Sequence, residues 1–445
     1  MSAISEFITS RGKMRTIEEL KSDVLAAIDN RRDEIISIGH CIWENPEPGY
    51  KEYKTAALVE KKLQGLGLEP KTGYSITGLR ADLKCNEGPT VAVLGEMDSL
   101  ILPTHPESLP ETGAVHACGH HTMTTAMLGT AMGLVDAKAQ EELAGNVAFV
   151  ACPAEECIEL EYRSRLIAEG KIKALGGKAS LIFDGVFDDV DAAIMQHCTT
   201  GGYHAADHNG FCMKSVIFHG ESTHAAAPQN SQNALSAANL ALHALALLRE
   251  KFSTDSSTRM HGILTSGGDT VNIIPDTAKL EYQLRAFDMN KVKLLSEAFD
   301  KAVEGCASAL GCTCTINSIA GYYPLINNDK MGELYTEAVH RLHPDAAVNT
   351  AHSLTCGSTD IGDLCAIMPV FQGSCPGAQG SAHSVTFKVV DDEKAFIENT
   401  KINALMVIDL LYGNAEIGKA LAEEKKKLMS IEQYKEFMNS FNYVR

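Results

Sequence analysis

Three short apolar runs, each closed by a polar cluster, constrain the fold of this chain more than any other feature. They are TVAVLGEMD at 90–98, NVAFVACPAEE at 146–156 and DAAIMQHC at 191–198. Each run is rich in Val, Ala and Ile and is apolar on both faces, which is typical of buried parallel strands. Helical periodicity fills the intervals at about 121–143 and 157–175. The alternation predicts an α/β fold with a mainly parallel sheet.

The polar clusters at the ends of these runs are predicted to meet. Glu96 and Asp98 close the first run, Glu155 and Glu156 close the second, and His197 closes the third. In open α/β sheets the functional site lies beyond the carboxyl ends of the strands. We therefore expect a site at that edge of the sheet.

The pattern changes after residue 208. A strand in CMKSVIFHG, a helix at 233–252, a strand at 277–287 and a helix at 292–310 predict a small α+β domain inserted over 209–319. A chain of 445 residues is long enough for two domains. The first domain would then consist of two segments, 1–208 and 320–445.

Composition excludes some partners and favours others. The chain has 39 Lys and Arg against 57 Asp and Glu, a net charge of −18, which argues against nucleic acid or an anionic membrane as a partner. No apolar stretch has the length of a membrane span, and the N-terminus lacks the pattern of an export signal. The 13 cysteines are odd in number and mostly lie singly in apolar runs, as reduced thiols do. We expect a cytoplasmic protein whose partners are small molecules or other protein chains.

The segment GAVHACGHH gathers soft metal-binding side chains. Alone, its histidines and Cys118 are more readily explained as a loop and first helical turn with surface histidines and a buried thiol. Glu156, His197 and a further histidine, His383 in the loop QGSCPGAQGSAHS, favour a metal site instead. Together they supply thiolate, imidazole and carboxylate, the donors that hold transition metals in proteins.

Eight segments of the chain resemble, in order, a known family. They are GEMDSL, HACGHH, PAEE, MQHC, STHAAAPQNSQNA, GGDTVNIIP, GSTD and AHSVTFKV. The family is peptidase family M20, the aminoacylase and carboxypeptidase family of dinuclear metallopeptidases. Within it, the segments are most similar to the amidohydrolase subgroup, which includes hippurate hydrolases, N-acyl amino acid aminoacylases, auxin-conjugate hydrolases and aminobenzoyl-glutamate hydrolases. The resemblance implies a mainly parallel-sheet metallopeptidase catalytic domain, an inserted α+β lid and dimerisation domain, and a homodimer formed through that insert.

The resemblance also implies a metal centre. Two divalent ions, zinc, manganese or cobalt, would be held by five ligands: Cys118, His120, Glu156, His197 and His383. Glu155 would be the general base and Asp98 the carboxylate that orients the centre. The family usually has Asp at the position of His121, so the resemblance assigns no role to this histidine.

Three further residues are implied to contact the substrate. His224, in GESTHAAAPQ, would steady the tetrahedral oxyanion, often in the active site of a second subunit. Asn272, in GGDTVNIIP, and Arg285 match lid residues that bind the substrate, and the guanidinium fork of an arginine suits a carboxylate.

The predicted function is metal-dependent hydrolysis of the amide bond in N-acyl or aroyl amino acids, or in small dipeptide-like substrates. Divalent ions lower the pKa of water to about 7 and polarise the amide carbonyl. Two alternatives stay open. One is an inactive relative that binds a ligand in the same cleft, and the other is a thiol hydrolase with Cys118 as nucleophile and His120 as base.

Overall fold

A computed structural model describes residues 14–252 and 257–445, so the segment 1–13, on which the expected lack of an export signal partly depends, lies outside the described residues. The α-helices of the described residues are α1 Ile17–Asn30, α2 Arg32–Trp43, α3 Tyr53–Gly65, α4 His120–Asp136, α5 Leu160–Ala168, α6 Gly177–Phe183, α7 Ala234–Leu248, α8 Met289–Ala309, α9 Asp329–Leu342, α10 Ile361–Cys365, α11 Asn399–Leu411, α12 Glu416–Lys425 and α13 Ile431–Asn439. The strands are β1 Lys71–Tyr74, β2 Gly78–Lys84, β3 Asn86–Glu96, β4 Leu100–Ile101, β5 Ala114–Val115, β6 Ala144–Cys152, β7 Ala192–Thr199, β8 Tyr203–His204, β9 Asp207–His208, β10 Gly210–His219, β11 Arg259–Ser266, β12 Thr277–Ala286, β13 Thr313–Ala320, β14 Val348–Asn349, β15 Leu354–Thr355, β16 Val370–Pro376, β17 Ala378–Gln379, β18 Lys388–Val389 and β19 Tyr443–Val444.

The chain divides into two compact units. The first consists of Met1–Ala206, Asn327–His352 and Met368–Leu428. Its six-stranded sheet has the order β1-β2-β6-β3-β7-β16. Strands β6, β3, β7 and β16 are parallel, β2 pairs antiparallel with β6, and β1 pairs antiparallel with β2. This confirms the predicted α/β fold with a mainly parallel sheet.

The register of the first sheet explains why the polar clusters meet. Glu96 at the end of β3 pairs with Cys152 at the end of β6, so the segment 153–156 leaves the sheet beside Glu96. His197 in β7 pairs with Ser374 in β16. Carboxyl ends of parallel strands share one edge, and three of the predicted polar clusters therefore emerge together.

Helix α4 is the central helix of this unit. It packs against β3, β7, α1 and α11, and every residue from His120 to Leu134 is buried. A helix that is buried on all sides belongs to the core, so α4 has little freedom to move. Its first residue, His120, is consequently held at a fixed place beside the sheet.

The second unit consists of Asp207–Ile326, Ser353–Ile367 and Met429–Arg445. Its five-stranded antiparallel sheet has the order β11-β12-β10-β13-β19, and α7 and α8 pack against it. The strands alternate buried and more exposed positions, as in β12, which fits a sheet with one covered face.

The structural division differs in detail from the predicted segments 209–319 and 320–445. Ser353–Ile367 and Met429–Arg445 lie in the second unit. The reason is long-range pairing: Tyr443 pairs with Ser318, and the hydroxyl of Tyr434 donates to Asp363 at 2.8 Å. Such contacts leave no local signal in the sequence.

One predicted helix is wrong as a single element. The segment 157–175 contains α5, which stops at Ala168, and a new helix begins only at Gly177. Gly170 adopts a φ of +71°, and the amide of Lys171 donates to the carbonyl of Leu166 at 2.9 Å. A left-handed glycine with this bond is a common helix end. Within the described ranges, no helix has both the length and the apolarity needed to cross a membrane.

Candidate metal centre

A left-handed glycine separates two of the predicted ligands. Gly119 has a φ of +97° and precedes α4, so the chain turns sharply between Cys118 and His120. A side chain at this position would be strained by that φ and would approach the ring of Phe387 within 3.3 Å. The turn directs the thiol and the imidazole toward the same region.

The five predicted ligands form two groups of three that share Cys118. One group is Cys118, His120 and His197, the other is Cys118, Glu156 and His383, and within each group the ligand atoms lie within 4.8 Å of one another. Sγ of Cys118 lies 3.6 Å from Nε2 of His197. Nε2 of His383 lies 3.0 Å from Oε1 of Glu156. Cys118 would thus be a ligand common to both groups if metal ions were bound.

Hydrogen bonds orient two of the imidazoles for metal binding. Nδ1 of His120 lies 3.0 Å from the backbone carbonyl oxygen of Asp98, and Nδ1 of His197 lies 2.8 Å from that of Cys198. A carbonyl can only accept, so each Nδ1 carries a proton, and each Nε2 is the nitrogen that faces the centre. Metal-binding histidines are oriented in this way, and the donor set therefore fits divalent ions.

The loop with His383 is attached to the loop that carries Cys118. The amide of His383 donates to the carbonyl of Ala117 at 2.9 Å, and His383 itself has a φ of +61°. The left-handed backbone turns its ring toward Glu156. A ligand 265 positions after Cys118 in the chain is thereby brought to the same centre.

Asp98 and Glu155 complete the predicted centre. Asp98 is fully buried, its Oδ1 lies 3.2 Å from Nδ1 of His120, and its Oδ2 accepts from the amide of Glu156 at 2.9 Å. It thus fixes one ligand by its ring and another by its backbone. Oε2 of Glu155 lies 3.8 Å from Nε2 of His120.

The electrostatics favour a thiolate at the centre. Burial alone raises the pKa of a thiol, but the charge of His120 and hydrogen bonds from the three histidines around it hold the pKa of Cys118 well below its usual value. Burial, followed by the charge of Cys118, raises the pKa of Glu156. A buried cluster of this kind is a normal environment for cations.

Glu96 is a member of the site to which sequence reasoning gave no role. Its Oε2 lies 3.2 Å from Nε2 of His120, and it forms a third potential ligand group with His120 and Glu155. Its Oε1 lies 2.5 Å from Nζ of Lys178, and both side chains are buried. The signal was present in GEMD, but Lys178 is 82 positions away and nothing local links the two.

His121, to which the resemblance assigned no role, lies in an aromatic cluster. Its ring centroid is 5.0 Å from that of Trp43, 5.3 Å from His116 and 5.8 Å from Phe396. Burial lowers the pKa of His121 well below its usual value and that of His116 to about 3. Both are neutral packing residues behind the ligands.

The second unit contains the three predicted substrate residues. The loops of His224 and Asn272 are joined, since the amide of Ala225 donates to the carbonyl of Asn272 at 2.9 Å. Arg285 lies near the opposite end of β12, where Nη1 donates to the carbonyl of Cys356 at 3.2 Å. The structure brings the first two together and places Arg285 elsewhere in the unit.

A mainly parallel sheet that presents two ligand groups around one shared thiol, with a carboxylate beside them, defines a metal-dependent hydrolase. Comparison with known proteins specifies the family. The model of peptidase family M20/M25/M40 matches residues 92–408. The chain is 30% identical to the Xaa-Arg dipeptidase of Mus musculus over 380 residues, covering 79% of each chain.

Further comparisons agree with this match. The chain is 28% identical to N-acetyl-L-cysteine deacetylase of Bacillus subtilis, covering 70% of this chain and 71% of that protein. It has the fold of the Bacillus subtilis YXEP protein, described as a dinuclear metal binding peptidase from the M20 family, with a TM-score of 0.64 and 21% identity over 86% of this chain and 99% of that one. The chain belongs to peptidase family M20/M25/M40, and the predicted family is confirmed.

Proposed function

We propose that this protein hydrolyses the amide bond of N-acyl or aroyl amino acids, or of small dipeptide-like substrates, to a carboxylate and a free amine. The observation that carries the proposal is the pair of ligand groups that share Cys118, with Glu155 beside them. The names of two relatives, a dipeptidase and an N-acetyl amino acid deacetylase, support these substrate classes.

The centre would hold two divalent ions through Cys118, His120, Glu156, His197 and His383. Bound there, such ions supply positive charge that acidifies water and polarises an amide carbonyl. A thiolate ligand favours zinc, while imidazole and carboxylate also suit manganese and cobalt. The family neighbour described as dinuclear supports the number of ions.

Glu155 performs the proton transfers in this proposal. Its carboxylate takes a proton from the water that attacks the amide carbon and returns it to the leaving nitrogen when the carbon–nitrogen bond breaks. General base catalysis of this kind contributes about 10²- to 10⁴-fold. Asp98 keeps His120 and the backbone of Glu156 in place while this happens.

His224, Asn272 and Arg285 are proposed to contact the substrate. His224 would stabilise the oxyanion, and Arg285 would bind the carboxylate of the amino acid moiety as a planar fork. These roles come from the family resemblance, and variants at the three positions are expected to change KM, kcat or both.

We propose a homodimer formed through the second unit. The terminal strand β11 of its sheet exposes Ile263 and Leu264, and α7 exposes Leu240 and Leu247. A terminal strand with apolar side chains is a common surface for association. We further propose a cytoplasmic location, a reducing compartment that suits thirteen cysteines none of which forms a disulfide bond in the structure.

Glu155→Gln tests the proposal, with the exposed Glu161→Gln as matched control. Zinc, manganese and cobalt forms are assayed on hippurate, N-acetyl amino acids and dipeptides. Glu155→Gln is expected to retain its ions and lose about 10²-fold or more of the turnover, while Glu161→Gln keeps it. Normal hydrolysis by Glu155→Gln would refute the assigned base.

The lowered pKa of Cys118 makes a thiol hydrolase the second candidate. Treatment with a chelator separates the two. Loss of activity that returns on adding a divalent ion supports the metal enzyme, whereas activity that survives chelation and disappears on thiol alkylation supports Cys118 as nucleophile.

A further inference from the structure

Two buried charged side chains of the first unit take no part in the chemistry above. Glu52 is fully buried at the start of α3, and Arg163 is 1% exposed in α5. Charged side chains are rarely buried unless their surroundings satisfy them. Both side chains bond to the backbone of the segment that carries the paired glutamates, Glu52 to the amide of Ala154 and Arg163 to the carbonyls of Ala154 and Glu156.

Glu52 accepts hydrogen bonds through both carboxylate oxygens. Oε1 accepts from the amide of Ala154 at 2.8 Å, and Oε2 accepts from the hydroxyl of Thr77 at 2.7 Å. Hydrogen bonds that are shielded from water are stronger than exposed ones, and Glu52 is 0% exposed. The amide of Ala154 is therefore held firmly from one side.

Arg163 holds the same segment through its carbonyl groups. Nη1 donates to the carbonyl of Ala154 at 3.1 Å and to that of Leu175 at 2.6 Å, and Nη2 donates to the carbonyl of Glu156. A guanidinium presents its donors in a rigid plane, so it fixes the relative positions of these carbonyls.

Ala154 needs such support because its backbone is strained. It has a φ of +54°, a left-handed conformation that an alanine rarely adopts and a glycine adopts freely. The chain turns away from the direction of β6 at Ala154, immediately before Glu155 and Glu156. Any relaxation of Ala154 toward negative φ would therefore move both glutamates.

We propose that Glu52 and Arg163 form a backbone clamp that holds Ala154 in the left-handed conformation and so positions Glu155 and Glu156. The proposal rests on the proposed function, in which Glu155 is the base and Glu156 a ligand. Asp98 completes the arrangement through the amide of Glu156. Glu52 and Arg163 are positioning residues, since they touch neither the substrate nor the ions.

Four proteins test the clamp: the wild type, Glu52→Ala, Ala154→Gly and the double variant. Glu52→Ala is expected to lower kcat about 30- to 100-fold with little change in KM, because a misplacement near 1 Å costs this much. Ala154→Gly alone should stay within about threefold of the wild type, since glycine adopts the required φ without help. In the double variant, glycine at 154 should restore kcat about tenfold or more over Glu52→Ala.

Rescue by glycine is the decisive readout, because a merely structural role for Glu52 would not be repaired at position 154. Glu52→Gln, whose amide keeps an acceptor for Ala154 and a donor for Thr77, should retain most of the turnover. If Glu52→Ala does not fold, Thr77→Val replaces it, with a smaller loss of kcat that glycine at 154 again reduces. Equal kcat for Glu52→Ala and the wild type, or no rescue, would overturn the clamp.

Zinc retention provides a readout that does not depend on activity. After dialysis, Glu52→Ala should retain fewer zinc ions per chain than the wild type, and the double variant should recover them. If the wild type binds zinc but hydrolyses none of the substrates, the proposed function is wrong, and the zinc content of the variants still tests the clamp. If the wild type is active and Glu52→Ala retains both its ions and its turnover, the clamp fails while the function stands.

Discussion

The buried ion pair between Lys178 and Glu96 offers a sharp test of how this fold tolerates charge near the metal centre. Nζ of Lys178 lies 2.5 Å from Oε1 of Glu96, and the side chains are 0% and 1% exposed. Replacing Lys178 with Met keeps most of the side-chain volume and removes the charge. Oε1 of Glu96 would then lose its cation, and Glu96 would keep only the contact of Oε2 with His120.

The expected loss of stability is set by the burial of the ion pair rather than by the distance between its two atoms. Breaking a buried pair by removing one partner costs about 3–5 kcal/mol, so Lys178→Met should lower the free energy of unfolding by that amount. Lys426 and Glu423 provide the control, because they are also 2.5 Å apart in the first unit but are 68% and 70% exposed. Lys426→Met should cost at most about 0.5 kcal/mol.

Urea unfolding monitored by fluorescence measures both variants in the same unit. The chain has one tryptophan, Trp43, which lies in the first unit, and its indole donates to Glu107 at 2.9 Å. The experiment is done with chelator present, so that bound ions do not contribute. Adding Glu96→Gln to Lys178→Met should recover about half or more of the loss, because it removes the unpaired charge. Equal costs for Lys178→Met and Lys426→Met would refute the reasoning.

Three further predictions concern other parts of the molecule. Burial, followed by the charge of Asp98, raises the pKa of Glu52 from 4.5 to about 7. The folded wild type therefore binds a proton more tightly than the unfolded chain. As the pH rises from 5 to 8, the wild type should lose up to about 3 kcal/mol of stability that Glu52→Gln does not lose. If the difference in melting temperature between the wild type and Glu52→Gln is the same at every pH, this prediction is wrong. Asp98→Asn should weaken zinc binding about 10- to 100-fold in chelator competition, because Asp98 orients His120 and the amide of Glu156; unchanged affinity would show that it orients nothing. Leu247, 66% exposed on α7, is expected in the dimer interface, so Leu247→Glu should give the mass of one chain by analytical ultracentrifugation, and a persisting dimer would exclude this surface.

The sheet of the first unit was predictable because its strands are short and mostly apolar on both faces. β7 has eight residues, and this length separates it from a buried helix such as α4, which has 17. The site followed from the same pattern, since polar residues at the ends of parallel strands meet at one edge. The motif around Cys118 and the family resemblance then identified Cys118, His120, Glu156, His197 and His383 as the candidate ligands, and the structure brings these side chains together.

What the sequence did not predict depends on contacts between distant residues. Lys178 was not associated with Glu96, because a buried lysine has the same local sequence as an exposed one. Arg163 lies in a segment that looks like an ordinary polar helix, and its bonds to carbonyls of residues 154–156 depend on the turn at Ala154. The membership of Ser353–Ile367 and Met429–Arg445 in the second unit likewise depends on tertiary pairing.

The central claim is that Cys118 is shared by two metal sites. Crystals of the zinc-loaded protein, measured on both sides of the zinc absorption edge, test it directly through the anomalous difference map. The account predicts two peaks, each about 2.3 Å from Sγ of Cys118, one beside His120 and His197 and the other beside Glu156 and His383. A single peak, or peaks remote from Cys118, would contradict it.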